Sequence, residues 1–311
     1  MTRRTRVDAY KLPWGRWNTP KAPAGRESAP RTQRQPAHLD QRLAIVSDSE
    51  FTLGLHDQSP RVSTTKGPRI GGSLPTIDFQ NSAVAFVDIL GFCNLVHSAT
   101  TETSKREELE ELVGLLEGVV PLLDCNVDSN LDKSLIPKHI YVSDCIVLSA
   151  PLLASDPTHK DYDGLAAVVL RCVQITHRLL ERGYLVCGGI AVGPVWQTAN
   201  NIVGPAYANA YKTERKTGRP RIELTDEAKC KWRQNTALQD TRLCIEYDGV
   251  FMVNGLHHWY SCSTRERLGF EATFCRYKDL AVQGRSRCAT DKARSKWDWF
   301  RSYIDFETKQ I

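Results

Sequence analysis

Ser82-Ala83-Val84-Ala85-Phe86-Val87-Asp88-Ile89-Leu90-Gly91-Phe92 is the stretch on which the reading of the fold turns. Its first half is apolar and rich in β-branched and aromatic residues, which predicts a buried strand. That strand ends in a carboxylate, Asp88, followed at once by Ile-x-Gly-Phe. An ionised carboxylate at the end of a buried strand is costly unless a cation or hydrogen-bond donors meet it. Gly91 allows a tight turn that brings the N–H groups of a following helix towards a phosphate, which a bound divalent cation could bridge to Asp88. The alternative is a surface Asp that caps that helix.

The chain of 311 residues is long enough for one large domain or two small ones. Its ten cysteines fall singly, with no Cys-x-x-Cys pair and no Cys/His spacing suited to structural zinc, a scatter that fits a reducing compartment. No apolar run approaches the roughly 18 residues that would span a bilayer, and no signal-peptide core follows Met1. The expectation is a cytoplasmic protein without a membrane partner. Charge is unevenly placed: residues 1–75 hold 13 Lys/Arg against 6 Asp/Glu, whereas residues 76–311 hold 28 against 30. The basic segment is also rich in Pro, Gly, Ser and Gln, so 1–75 is expected to be a largely disordered extension, with a short ordered stretch over 42–55, and 76–311 the folded domain. A basic arm can bind nucleic acid, but composition alone suggests this, and a solvated extension or an over-long gene start explains it equally.

Beyond Asp88, Ser104-Lys105-Arg106-Glu107 has the form of a capping box opening a helix with Leu109, Leu112, Val113, Leu116 and Val119 on one face. Asn126 to Lys133 is polar and predicts a loop. His139-Ile140-Tyr141-Val142 and Cys145-Ile146-Val147-Leu148 predict two strands about a Ser143-Asp144 turn, which places a second acid at a strand junction, where a turn alone would also explain it. A helix is expected from Asp161 to Arg182, and then a strand from Leu185 to Gly193 whose paired glycines suggest close approach of another backbone or a ligand. Gly204-Pro205 opens a helix through Lys216 with Asn209, Lys212 and Lys216 on the face opposite Ala206 and Ala210. Arg221 to Leu224 predicts a further strand. Thr290 to Lys309 predicts an amphipathic helix with Trp297, Phe300 and Tyr303 or Ile304 on one side, and His257-His258 lacks a third ligand nearby in sequence. The order β-α-β-β-α-β, then α-β, is the split-βαβ pattern, an α+β fold with C-terminal additions.

Phe86-x-Asp88-Ile89-x-Gly91-Phe92, Asp144, Gly189-Ile190-x-x-Gly193 and Gly204 to Gly218 together resemble the catalytic domain of class III nucleotide cyclases. The resemblance implies a ferredoxin-like palm in which Asp88 and Asp144, with the backbone carbonyl of Ile89, hold two divalent metal ions, Mn2+ or Mg2+, over a nucleoside triphosphate. Ile89, Leu90, Gly91 and Phe92 then form the turn beside the phosphates. The departures are specific. Ile140 stands where purine cyclases tend to carry a base-reading polar residue, Asn201 where adenylate cyclases tend to carry Asp, and Cys187 where an Arg is usual. The family's Asn-x-x-x-Arg pair is missing as such, with Asn209 displaced by one position and Lys212 falling where the Arg would be.

Val203 to Glu214, Pro220-Arg221-Ile222 and Asp248 to Asn254 are similar to the bacterial pyrimidine cyclases of anti-phage (Pycsar) systems. That similarity implies a homodimer acting on UTP or CTP, with Ile140 and Asn201 beside the base and Asn209 and Lys212 at the transition state. It also implies a cyclic-nucleotide product that activates a separate effector. The alternatives are an inactive nucleotide-binding pseudocyclase and a purine cyclase.

Overall fold

The computed structural model describes residues 76–119, 121, 123–124, 132–156, 162–257 and 270–310. The basic extension with its stretch 42–55, the core of the polar loop after Asp124, and His258 lie outside the described residues. In chain order the elements are β1 (Gln80–Ile89), α1 (Phe92–Ala99), α2 (Thr103–Gly114), β2 (Lys138–Val142), β3 (Cys145–Pro151), α3 (Gly164–Leu180), β4 (Val186–Gln197), β5 (Ile202–Val203), α4 (Pro205–Thr217), β6 (Ile222–Leu224), α5 (Asp226–Gln234), α6 (Thr236–Gln239), β7 (Cys244–Tyr247), β8 (Val250–Val253), α7 (Phe270–Ser286) and α8 (Asp291–Thr308). Among the described residues no helix is long and apolar enough to cross a membrane.

One mixed sheet runs β2-β3-β1-β4-β6-β8-β7, with β5 paired to β4 off this path. The first four strands have the order and antiparallel pairing of a ferredoxin-like palm, the expected α+β arrangement. The additions continue the sheet from β4, through a parallel pairing with β6, then β8 and β7. β1 is central because its side chains are apolar on both faces. Ala83, Ala85, Val87 and Ile89 join α1, α2 and α3 in the main core, while Val84 and Phe86 face α4 with Val147, Ala191, Ala206 and Ala210. The two-residue alternation of a strand places Asp88 on the α4 face, at the end of that row.

Local signals and structure part company in three places. The capping box does not form: Glu102 is the N-cap of α2, so Ser104 lies inside the first turn and makes no cap bond. Leu112 and Leu116 are buried as expected, but Val113 is exposed. The third helix begins at Gly164, where Asp163 caps it by accepting from the N–H of Ala166 at 3.0 Å. On α8 the buried row is Trp299, Phe300, Tyr303, Ile304 and Glu307. Trp297 lies instead against Gly284 of α7, where even a Cβ would meet the indole ring at 2.3 Å.

The α8 row closes a second core with Ile245, Met252, Phe274 and Tyr277. Its polar members are matched: Glu307 accepts from Arg242 at 2.7 Å and Asn254 at 2.9 Å, and the Tyr303 hydroxyl donates to Asn254 at 2.6 Å. His257 is tied to the carbonyl of Thr241 at 2.6 Å, a structural role.

Candidate active site

The β1–β3 register pairs Asp88 with Cys145, so Asp144, one residue earlier in the β2–β3 turn, sits diagonally beside the end of β1. Ser143 turns that hairpin with a φ of +59°, and the main-chain N–H of Ile89 donates to the carbonyl of Asp144 at 3.1 Å. Both carboxylates reach one thiol: Cys145 Sγ lies 3.7 Å from Asp88 Oδ1 and 3.6 Å from Asp144 Oδ1. Cys93, near the start of α1, approaches Asp144 Oδ2 at 3.9 Å.

The other neighbour of β1 brings a second set. Asp88 pairs with Cys187 of β4, whose Sγ lies 3.6 Å from Asp88 Oδ2 and 3.5 Å from Glu214 Oε1 on α4. The paired glycines explain how α4 comes so near, and backbone rather than ligand is what approaches them. A Cβ on Gly189 would meet the carbonyl oxygen of Ala210 at 2.3 Å, and one on Gly188 the carbonyl oxygen of Phe86 at 2.6 Å.

Asp88 is pushed up to about 6, first by burial and then by the negative charges of Asp144 and Glu214. Burial and the neighbouring carboxylates likewise push the Cys145 and Cys187 thiols far above their usual range. Among the described residues, none of the three carboxylates forms an ion pair with a lysine, arginine or histidine. Lys296 of α8 acts on Cys187 through space, lowering its pKa against the larger effects that raise it. The ligand atoms form two groups that share Asp88, one with Asp144 and Cys145 and one with Cys187 and Glu214, and carboxylate oxygens of this kind fit a divalent cation.

The remaining residues named from sequence divide by location. The N–H of Leu90 donates to the carbonyl of Leu185 at 2.9 Å, and with Ile89 also committed, the α1 terminus offers the N–H groups of Phe92, Cys93 and Asn94. Gly91 supplies the turn with a φ of +91°, and the Phe92 ring is buried in the main core. Ile140 packs on the Val84–Phe86–Val147 row, so it shares the face of Asp88. Asn201 is exposed in a turn in which its N–H donates to Thr198 Oγ1 at 3.1 Å and its carbonyl accepts from the Thr198 N–H at 2.8 Å. Asn209 and Lys212 are exposed on α4. Lys212 precedes Glu214 by two residues, which is about 200° round a helix, so it points away from the Asp88 of its own chain.

Glu214 and Cys145 carry no mark in the sequence that singles them out, and Cys187 is marked only as a departure from an expected Arg. The available signal is the glycine pair, which announces a close approach without saying which residues it delivers.

No protein-family model matches the sequence, and no curated protein matches it. Among solved structures, the chain is similar to the catalytic core of a rhodopsin-guanylyl cyclase with converted specificity in complex with ATPalphaS, at 15% identity and a TM-score of 0.37, covering 56% of this chain and 95% of that one. A class III adenylyl cyclase-like ATP-binding protein from Pseudomonas aeruginosa gives 10% identity and a TM-score of 0.34, covering 71% of this chain and 43% of that one, so the match spans less than half of that protein.

Proposed function

We propose that the chain is a nucleotide cyclase acting on a pyrimidine nucleoside triphosphate, UTP in preference to CTP. It forms the 3′,5′-cyclic monophosphate and diphosphate in a cytoplasmic homodimer, and the product activates an anti-phage effector. The observation that carries this reading is the convergence of Asp88 and Asp144 on one point at the end of the central strand, fixed by strand register and by the Ile89–Asp144 hydrogen bond. The raised Asp88 carboxyl, and the absence among the described residues of an ion pair to it, support a cation at this place.

Mn2+ or Mg2+ held by Asp88, Asp144 and the Ile89 carbonyl would lower the pKa of the 3′-hydroxyl and neutralise the triphosphate. In the reaction the 3′-oxygen bonds to the α-phosphorus, the bond to the β-phosphate bridging oxygen breaks, diphosphate leaves and the hydroxyl proton passes to solvent. The chain's own part is placement. The N-terminus of α1 presents main-chain N–H groups beside the aspartates, suited to phosphate oxygens. Ile140 offers an apolar wall on the same face, which favours a single-ring base over a purine edge that needs hydrogen bonds. The outward aspect of Asn209 and Lys212 supports their use at the site of a second copy, in a head-to-tail dimer with two composite sites.

The test is to incubate the purified protein with each of the four nucleoside triphosphates and Mn2+ or Mg2+ and identify products by mass spectrometry. A cyclic pyrimidine monophosphate is expected; cyclic AMP or cyclic GMP alone would establish a purine cyclase, and nucleotide binding without any cyclic product a pseudocyclase.

A further inference from the structure

We infer that Asp88, Cys187 and Glu214 form a cation seat of their own on the α4 side of Asp88, one that takes a thiophilic divalent ion such as Zn2+ or Cd2+. The inference deepens the reading above, on which it rests through the shared Asp88. The two oxygens of that carboxylate serve different neighbours: Oδ1 faces Cys145 and Oδ2 faces Cys187. The ligand atoms of Asp88, Cys187 and Glu214 all lie within 4.8 Å of one another, as do those of Asp88, Asp144 and Cys145 on the other side.

The proton count points to an ion. A thiol carries one hydrogen, yet Cys187 Sγ lies 3.6 Å from one carboxylate oxygen and 3.5 Å from another. One S–H can donate to only one of them, which leaves a lone pair of the buried Cys187 sulfur against the other, half-buried carboxylate. A cation removes the conflict. Metal–sulfur and metal–oxygen bonds of about 2.3 and 2.1 Å at a tetrahedral angle put sulfur and oxygen about 3.6 Å apart, so the Cys187 contacts, already at hydrogen-bond spacing, would take an ion with little rearrangement. Cys187 would bind as thiolate, its proton passing to solvent. A thiolate among the ligands selects Zn2+ or Cd2+ over Mg2+, which prefers oxygen. The seat is also rigidly built, because Gly189 lets the Ala210–Glu214 turn of α4 lie directly on β4.

The probe is Cd2+ titrated into the metal-free, reduced protein, with the cadmium–thiolate absorbance followed in the ultraviolet and circular dichroism as the check on folding. Cys187→Ser is nearly isosteric and should remove a band that Cys145→Ser and Asp144→Asn retain, while Glu214→Gln should weaken Cd2+ binding by about tenfold or more. An unchanged band in Cys187→Ser, or wild-type Cd2+ affinity in Glu214→Gln, would overturn the inference. If no triphosphate is cyclised but the Cys187-dependent band is present, the cyclase reading fails and the seat stands. If a cyclic product forms and that band is absent, the seat fails and the cyclase reading stands.

Discussion

The main-chain N–H of Ile89 donates to the carbonyl of Asp144 at 3.1 Å, tying the residue after one aspartate to the backbone of the other. The separation of the two carboxylates is therefore set by strand ends rather than by a mobile loop. Rigid elements hold a site more closely than loops do, and a reaction that depends on position needs that.

Metal-free Asp88 should oppose folding at neutral pH. Its carboxyl is raised from 3.8 to about 6 in the folded chain, so its contribution is fully favourable below pH 3.8 and is lost as pH rises through 6. Asp88→Asn should raise the Tm of metal-free protein at pH 7.5 and have little effect near pH 4. Added Mn2+ should stabilise the wild type more than the variant. A lower Tm for Asp88→Asn at pH 7.5 would show that the carboxylate is compensated without a cation.

His177 works in the opposite direction. Burial first, and then the neighbouring charges, push it down to about 3, and its Nδ1 lies 2.7 Å from the Tyr277 hydroxyl. A depressed histidine favours folding above its unfolded value of about 6.5, and that advantage is lost as pH falls from there towards 3. His177→Gln should lower the Tm at pH 7.5, because Tyr277 loses its partner geometry, and should flatten the decline between pH 6.5 and 4. Differential scanning calorimetry over that range reads both effects; an unaltered slope would remove His177 from the acid response.

Mixing two inactive variants tests the composite site. Asp88→Ala and Lys212→Ala should each be inactive alone, and their mixture should regain up to about a quarter of wild-type activity, because a mixed dimer holds one intact site. No recovery from demonstrated heterodimers would place both residues in one chain's site, or leave Lys212 without a role.

The base-facing assignment is tested separately. Asn201 is exposed in its turn, so Asn201→Ala should fold normally and lose discrimination between UTP and the purine triphosphates, read as the ratio of kcat/KM values. An unchanged ratio would remove Asn201 alone from specificity.

The parts of the fold legible in the sequence are those fixed by short-range pattern. The β1 run, the hairpin about Ser143-Asp144 and the Gly204-Pro205 helix start all declare themselves locally. The failures belong to tertiary packing. Ser104 satisfies the capping-box spacing, but the chain enters α2 earlier, at Glu102. Trp297 and Trp299 are two residues apart on α8, and only the close approach at Gly284 decides which one lies on α7 and which on the sheet. Helix α7 buries Phe274, Tyr277 and Ala281 at helical spacing, a pattern the sequence reading did not use. Asp88 and Asp144 are readable because acids at strand ends are conspicuous. Glu214 is not, because an acid on a polar helix is ordinary until the packing of α4 on Gly189 turns it onto Cys187.

The most direct test of the central claim is the rate of diphosphate release and cyclic product formation from UTP by Asp144→Asn, compared with wild type at saturating Mn2+, with circular dichroism confirming the fold. The account predicts a loss of about a hundredfold or more, since the amide keeps the side-chain shape and removes the charge that holds the cation. A folded Asp144→Asn protein that turns over UTP at the wild-type rate would contradict it.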